Sequence, residues 1–129
     1  MTFKPVKSAV PKKRAMYKKP DNPEYRLQKQ WIEFLKARGW HVVEMHASPR
    51  LSGFPDLYIT HVKYGARLVE IKLPNMKGSR FTEPQWEKFP LLDKNGSPIW
   101  IITEVSEDNY RKLFTHKKGN LAGWMNVKL

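Results

Sequence analysis

Asp56, Glu70 and Lys72 sit in the stretch GFPDLYITHVKYGARLVEIKL, which otherwise alternates as half-buried strands do. Charge placed in a strand is costly unless something pairs with it. Residues two apart on a strand share a face. Val69 and Ile71 therefore point toward a core, while Glu70 and Lys72 point the other way, roughly 6 to 7 Å apart along the strand. Asp56 opens the preceding strand. In an antiparallel hairpin of this length, the start of the first strand lies beside the end of the second. Asp56, Glu70 and Lys72 can thus converge at one end of the hairpin, and Glu24, on the packed face of an upstream helix, can reach the same place.

Clustered carboxylates repel one another and raise each other's pKa, and a divalent cation relieves that repulsion. Hard oxygen donors in an open site suit Mg²⁺ or Mn²⁺. Such an ion activates water and polarises a phosphoryl oxygen. Lys72 reads first as a group that positions the attacking water and stabilises developing charge, with general base as second choice. Each feature alone has a plainer reading. A Pro-Asp pair after glycine makes a turn. Glu-x-Lys makes a solvated ion pair. Glu24 reads equally as a first-turn acid favouring a helix dipole. Their combination and order are what point to chemistry.

The elements that must position these residues are readable. Asn22 is an N-cap and Pro23 a first helical residue. Leu27, Trp31, Phe34 and Leu35 recur at helical spacing, and Gly39 closes the helix. Trp40 to about His46 reads as a strand. Leu57 to Val62 and Arg67 to Leu73 read as a hairpin with its turn near KYGA. Thr82 caps a second helix carrying Trp86 and Phe89, which Pro90 is expected to kink or stop. PIWIIT reads as the most apolar strand, expected to be central. Ser106 starts a last helix, EDNYRKLFTHKK, and GWMNVKL is read as a possible edge strand. The reading is an α/β (α+β) domain over residues 22–129, preceded by a basic arm over residues 1–21.

The chain of 129 residues carries 24 Lys and Arg against 12 Asp and Glu, a formal charge of +12. Such a balance favours polyanions, nucleic acid foremost. Residues 1–20 hold seven basic residues, three prolines and no acid. They read as a draped arm whose Lys12, Lys13 and Arg14 contact phosphate, or as a passive tail. Arg50, Lys77 and Arg80 fall in loops beside Asp56 and Glu70 and read as backbone-phosphate contacts or solvated side chains. With no cysteine, thiolate zinc sites and disulfides are excluded. His41, His46, His61 and His116 lack ligand spacing. No apolar run approaches the ~20 residues of a membrane span. The absence of cysteine fits a reducing compartment, and the expected location is the cytoplasm.

GFPDLYI followed by LVEIK resembles the PD-(D/E)XK nuclease signature. The longer pattern resembles the virus-type replication-repair nuclease (VRR-NUC) branch: Glu24 in the first helix, then glycine, Pro55 and Asp56, then Glu70 and Lys72, then Gln85 opening the next helix. It spans residues 23–103. The resemblance implies a restriction-endonuclease-like αβββαβ core with a mixed four-stranded sheet flanked by helices. It implies Mg²⁺-dependent (or Mn²⁺-dependent) hydrolysis of DNA phosphodiester bonds. Asp56, Glu70 and the backbone carbonyl of Ile71 would hold the metal, with Glu24 direct or through water, and Lys72 and Gln85 would orient nucleophile and phosphate. It further implies a branched DNA substrate of the Holliday-junction kind and a homodimer. A four-way junction has approximate two-fold symmetry, which suits a C2 pair. The alternatives are a nickase, a restriction-type or RNA-cutting nuclease on the same scaffold, or a non-catalytic nucleic-acid-binding protein.

Overall fold

A computed structural model describes residues 22–45, 51–75 and 81–125 of the chain. Helix α1 runs Pro23–Ala37, and the Asn22 side chain accepts a hydrogen bond from the Tyr25 amide at 2.7 Å. Leu27, Gln28, Trp31 and Leu35 form its buried stripe, with Glu24 one turn ahead on the same line. Gly39 ends the turn at φ +89°, a left-handed conformation open to glycine. Strand β1 then covers His41–Glu44, shorter at both ends than the sequence suggests.

Strands β2 (Leu57–His61) and β3 (Gly65–Ile71) form the expected antiparallel hairpin, in register from Leu57 opposite Val69 to His61 opposite Gly65. Strand β4, Ile99–Ile102, pairs parallel with β3, giving a mixed four-stranded sheet in the order β1-β2-β3-β4. The element order is αβββαβα, an α/β arrangement with helices on both faces of the sheet.

The placement of β4 corrects an expectation. Its apolar run predicts a central strand, but among the described residues it lies at the sheet edge. All four residues are nonetheless buried. Trp100 and Ile102 face α1 and α3 (Glu107–Thr115) with Leu57, Ile59, Val69 and Ile71. Ile99 and Ile101 face α2 (Glu83–Lys94) and the C-terminal segment, against Phe89, Leu121 and Met125. The open edge is closed by Asn120, which imitates a neighbouring strand. Its amide donates to the Ile99 carbonyl at 3.1 Å. Its side chain accepts from the Ile101 amide at 2.6 Å and donates to the Ile101 carbonyl at 2.9 Å. Burial on both faces, not centrality, produced the apolar run.

Of the two outcomes expected at Pro90, a kink or a stop, the stop does not occur, and α2 continues to Lys94. Proline removes the one bond that would reach the Trp86 carbonyl, and Trp86 lies on the exposed side of the helix. The fully buried Phe89 anchors the helix just before that gap, and Asn95 bonds back to Leu91 just after it. A short 3-10 turn, Leu121–Gly123, opens the C-terminal stretch, no strand forms in the described residues 123–125, and residues 126–129 of the expected edge strand lie outside the described residues. Helix α3 starts at its Ser106 cap as expected but ends at Thr115, three residues before the expected Lys118.

Replacing Asn120 by alanine should destabilise the fold by ~1–3 kcal/mol, because Ile101 keeps buried backbone groups that lose their partner. Urea denaturation checks this. An unchanged midpoint would mean that the edge is not held by this side chain.

Candidate active site

The end of the hairpin lets side chains complete a hydrogen-bond ladder. Leu57 opposite Val69 is the last strand pair, so Asp56 falls opposite Glu70. There the two acids exchange bonds with each other's strand. The Asp56 amide donates to Glu70 Oε1 at 3.1 Å, and Asp56 Oδ2 accepts from the Ile71 amide at 2.9 Å. The Asp56 carbonyl accepts from the Met45 amide at 2.8 Å, tying it to the end of β1. Within a strand the N–H and C=O of one residue leave on the same edge. The Ile71 carbonyl therefore faces the same side as its amide, toward Asp56.

Glu24 enters from the first turn of α1, where Asn22 and Pro23 fix the helix start. One carboxylate oxygen from each of Glu24, Asp56 and Glu70 lies within 4.8 Å of the other two. Glu24 and Asp56 are half-buried, while Glu70 is 1% exposed. The cluster is open on one side and closed beneath.

Lys72 forms the floor with Glu70 and is itself only 1% exposed. Its Nζ lies 3.1 Å from Glu70 Oε2 and 3.3 Å from Gln85 Oε1. The Phe81 ring centroid lies 4.7 Å from the same nitrogen, a cation–π contact. Gln85 joins the acid to the lysine: its Nε2 donates to Glu70 Oε2 at 2.9 Å. Its Oε1 also accepts from the Thr82 amide at 3.0 Å, while Thr82 Oγ1 accepts from the Gln85 amide at 3.2 Å. This is a capping box. The motif that starts α2 thus also aims Gln85 into the carboxylate cluster.

The loop before Asp56 is pressed against that helix start. Gly53 has φ +82°, and a Cβ there would stand 2.6 Å from the Pro84 carbonyl oxygen. Only glycine allows both the turn and the approach. The Lys88 ammonium donates to the Ser52 carbonyl and reinforces the contact.

Electrostatics follow from this packing. Burial is the main cause that pushes the Asp56 carboxyl from 3.8 up to about 6; the Ile71 amide opposes it, Glu24 adds to it, and Lys72 opposes it. Burial, followed by the negative charge of Asp56, raises Glu70 well above the usual carboxylate range, against the pull of Lys72 and Gln85. The two acids titrate as a pair. Among the described residues one ammonium, Lys72, faces the three carboxylates, in a site whose metal-ligand atoms are all hard oxygens. That donor chemistry fits a small divalent cation such as Mg²⁺.

Glu24, Asp56, Glu70, Ile71, Lys72 and Gln85, all singled out in the sequence, are gathered here. Arg50, Lys77, Arg80, Lys12, Lys13, Arg14 and His46 lie outside the described residues. Two residues near these elements escaped the sequence reading, of which Phe81 touches the site. Phe81 covers Lys72, and the only signal was an aromatic next to the Thr82 cap. Gln28 is buried one turn along α1 from Glu24, with its Nε2 3.5 Å from Glu44 Oε1. A polar residue on an otherwise apolar stripe was the signal there. Among the described residues no helix is long and apolar enough to cross a membrane. Compared with family models, curated proteins and solved structures, the chain finds no match in any of the three.

A carboxyl whose folded pKa lies above its unfolded value binds its proton more tightly in the fold, so stability falls as pH rises between those values. For Asp56 that window runs from 3.8 to about 6, and Glu70 shifts in the same direction. Without divalent metal, the melting temperature should therefore fall from pH 4 to pH 6 by more than in Asp56→Asn. Mg²⁺ added at pH 7 should raise it in the wild type and not in the variant. Equal pH profiles for the two proteins would contradict the assignment.

Proposed function

We propose that the chain is a metal-dependent endonuclease that hydrolyses DNA phosphodiester bonds, built on a restriction-endonuclease-like core of the PD-(D/E)XK kind. The observation that carries this reading is the meeting of Glu24, Asp56 and Glu70 within 4.8 Å, above a buried Lys72 that is 3.1 Å from Glu70. A surface acid cluster does not bury a lysine. A purely structural ion pair does not need two further carboxylates.

Asp56, Glu70 and the Ile71 carbonyl would hold the ion, with Glu24 completing the set. When bound, Mg²⁺ or Mn²⁺ supplies a Lewis acid that acidifies water and neutralises charge on the phosphate. Lys72 presents a fixed ammonium beside the carboxylates, where it orients the attacking water and stabilises charge developing on phosphorus-bound oxygen. Gln85 holds Lys72 and Glu70 in one geometry, so that little reorganisation accompanies the reaction. The +12 charge draws the polyanion toward an acidic centre that would otherwise repel it. Lys12, Lys13, Arg14, Arg50, Lys77 and Arg80 serve as its phosphate contacts in this reading. The substrate is branched DNA of the four-way-junction kind, cut at two symmetric positions by a homodimer.

The test is a substrate panel in Mg²⁺ or Mn²⁺: four-way junction, continuous duplex, single strand and structured RNA. The junction should be cut fastest. Asp56→Asn and Glu70→Gln should reduce cleavage to background while leaving junction binding largely intact. Lys72→Met should cost ~10²–10³ in rate. Equal rates on duplex and junction would overturn the resolvase reading, and binding without cleavage would overturn the nuclease. Affinity should fall steeply with salt: about six phosphate contacts lose roughly 10³-fold between ~50 and ~200 mM. A flat response would remove the electrostatic part.

A further inference from the structure

We infer that Trp86 is a stacking platform for an unstacked nucleobase, and that it biases the site toward nucleic acid that offers a free base face. The inference rests on the nuclease reading above and names the substrate feature that the same site selects.

Of the five tryptophans, Trp31, Trp40 and Trp100 are buried in the core and Trp124 is half-buried, while Trp86 is 51% exposed. Leaving an indole in water forgoes the burial that an aromatic of this size normally contributes. Its position is not incidental to the site. Trp86 follows Gln85 on α2, whose side chain bonds Glu70 at 2.9 Å. The Trp86 ring packs edge-on against Phe81, with centroids 5.5 Å apart, and the Phe81 centroid lies 4.7 Å from Lys72 Nζ. Two contacts lead from the lysine head to the exposed indole. The indole centroid therefore lies no more than about 10 Å from the ammonium, a span of at most roughly three stacked nucleotides at ~3.4 Å each.

The ring is also held. The capping box fixes the helix turn that carries it, and Phe81 braces one edge. A braced aromatic loses little entropy when a base lies on it. The strongly basic chain makes a polyanion the occupant favoured by charge. Base–aromatic stacking needs a π face that is not already covered. Continuous duplex offers none. An unpaired nucleotide, or the terminal pair at a branch point, offers one next to the phosphate at the carboxylates. Trp86 then favours branched or single-stranded substrate without reading sequence.

The test uses the full chain as wild type, Trp86→Phe and Trp86→Ala, in EDTA so that binding is read without cleavage. Each is titrated with an oligothymidylate single strand, a four-way junction and a continuous duplex of matched length. Indole emission and fluorescence anisotropy are both recorded. Wild-type emission should be quenched by single strand or junction and far less by duplex. Trp86→Phe should keep its affinity and lose most of the quench. Trp86→Ala should bind single strand or junction about tenfold more weakly, with duplex affinity nearly unchanged. A response to single strand alone identifies an unpaired nucleotide, and one to junction alone identifies the branch-point pair.

The inference is overturned if Trp86→Ala weakens all three ligands equally or none, or if the quench survives in Trp86→Phe. Loss of self-association at unchanged DNA affinity would also overturn it, making Trp86 a protein contact. Cleavage in Mg²⁺ is scored separately on the wild type. A nuclease with no Trp86 effect sinks the platform alone. A Trp86 effect with no cleavage supports the platform and sinks the nuclease.

Discussion

Lys72 and Glu70 are both buried, and that single pair constrains everything around it. Removing two charges from water costs several kcal/mol each, and their attraction offsets this only when further hydrogen bonds complete the pair. Here the completion comes from three directions. Glu70 Oε1 takes the Asp56 amide, Glu70 Oε2 takes Gln85, and Lys72 rests against Gln85 and the Phe81 ring. Among the described residues no buried side-chain polar atom is left without a partner. The hairpin end, the loop carrying Asp56 and the first turn of α2 must all be in place together, or a charge is stranded.

The same pair explains why the site is electrostatically unfinished. Lys72 balances one carboxylate. Asp56 and Glu24 bring two more into the same small volume, and burial raises Asp56 and Glu70 even against the Ile71 amide, Lys72 and Gln85. A folding device would have ended with the ion pair. Negative charge that is held in position suits an incoming cation, and the basic character of the chain as a whole suits an incoming anion.

What the sequence disclosed follows a physical divide. Local chemistry was legible. Asn22, Thr82 and Ser106 cap helices because their side chains reach the amides of their own first turns. The period-two alternation placed Glu70 and Lys72 on one face, and hairpin geometry put Asp56 opposite Glu70. Non-local facts were not legible. The apolar run of β4 records burial on two faces, and nothing in Ile99–Ile102 tells that Asn120, far along the chain, closes the edge. Pro90 signals a break by its own chemistry, but the anchoring of Phe89 in the core overrides it. The cation–π lid of Phe81 and the contact of Gly53 with Pro84 likewise depend on elements distant in sequence.

Gln85 shows how little separates the frame from the chemistry. Its side chain closes the capping box of α2 and, in the same conformation, bridges Glu70 and Lys72. A residue serving only the helix could be Glu, which caps equally well. In this position a glutamate would add another negative charge against Glu70 and could not donate to it while ionised. A residue serving only the acid could be Lys, but it would leave the Thr82 amide without its acceptor and set a second ammonium beside Lys72. The neutral amide alone offers a donor to the carboxylate and an acceptor to both the ammonium and the helix start. The amide's two ends therefore lock the placement of α2 to the charge state of the site, so that a shift in either must be felt by the other.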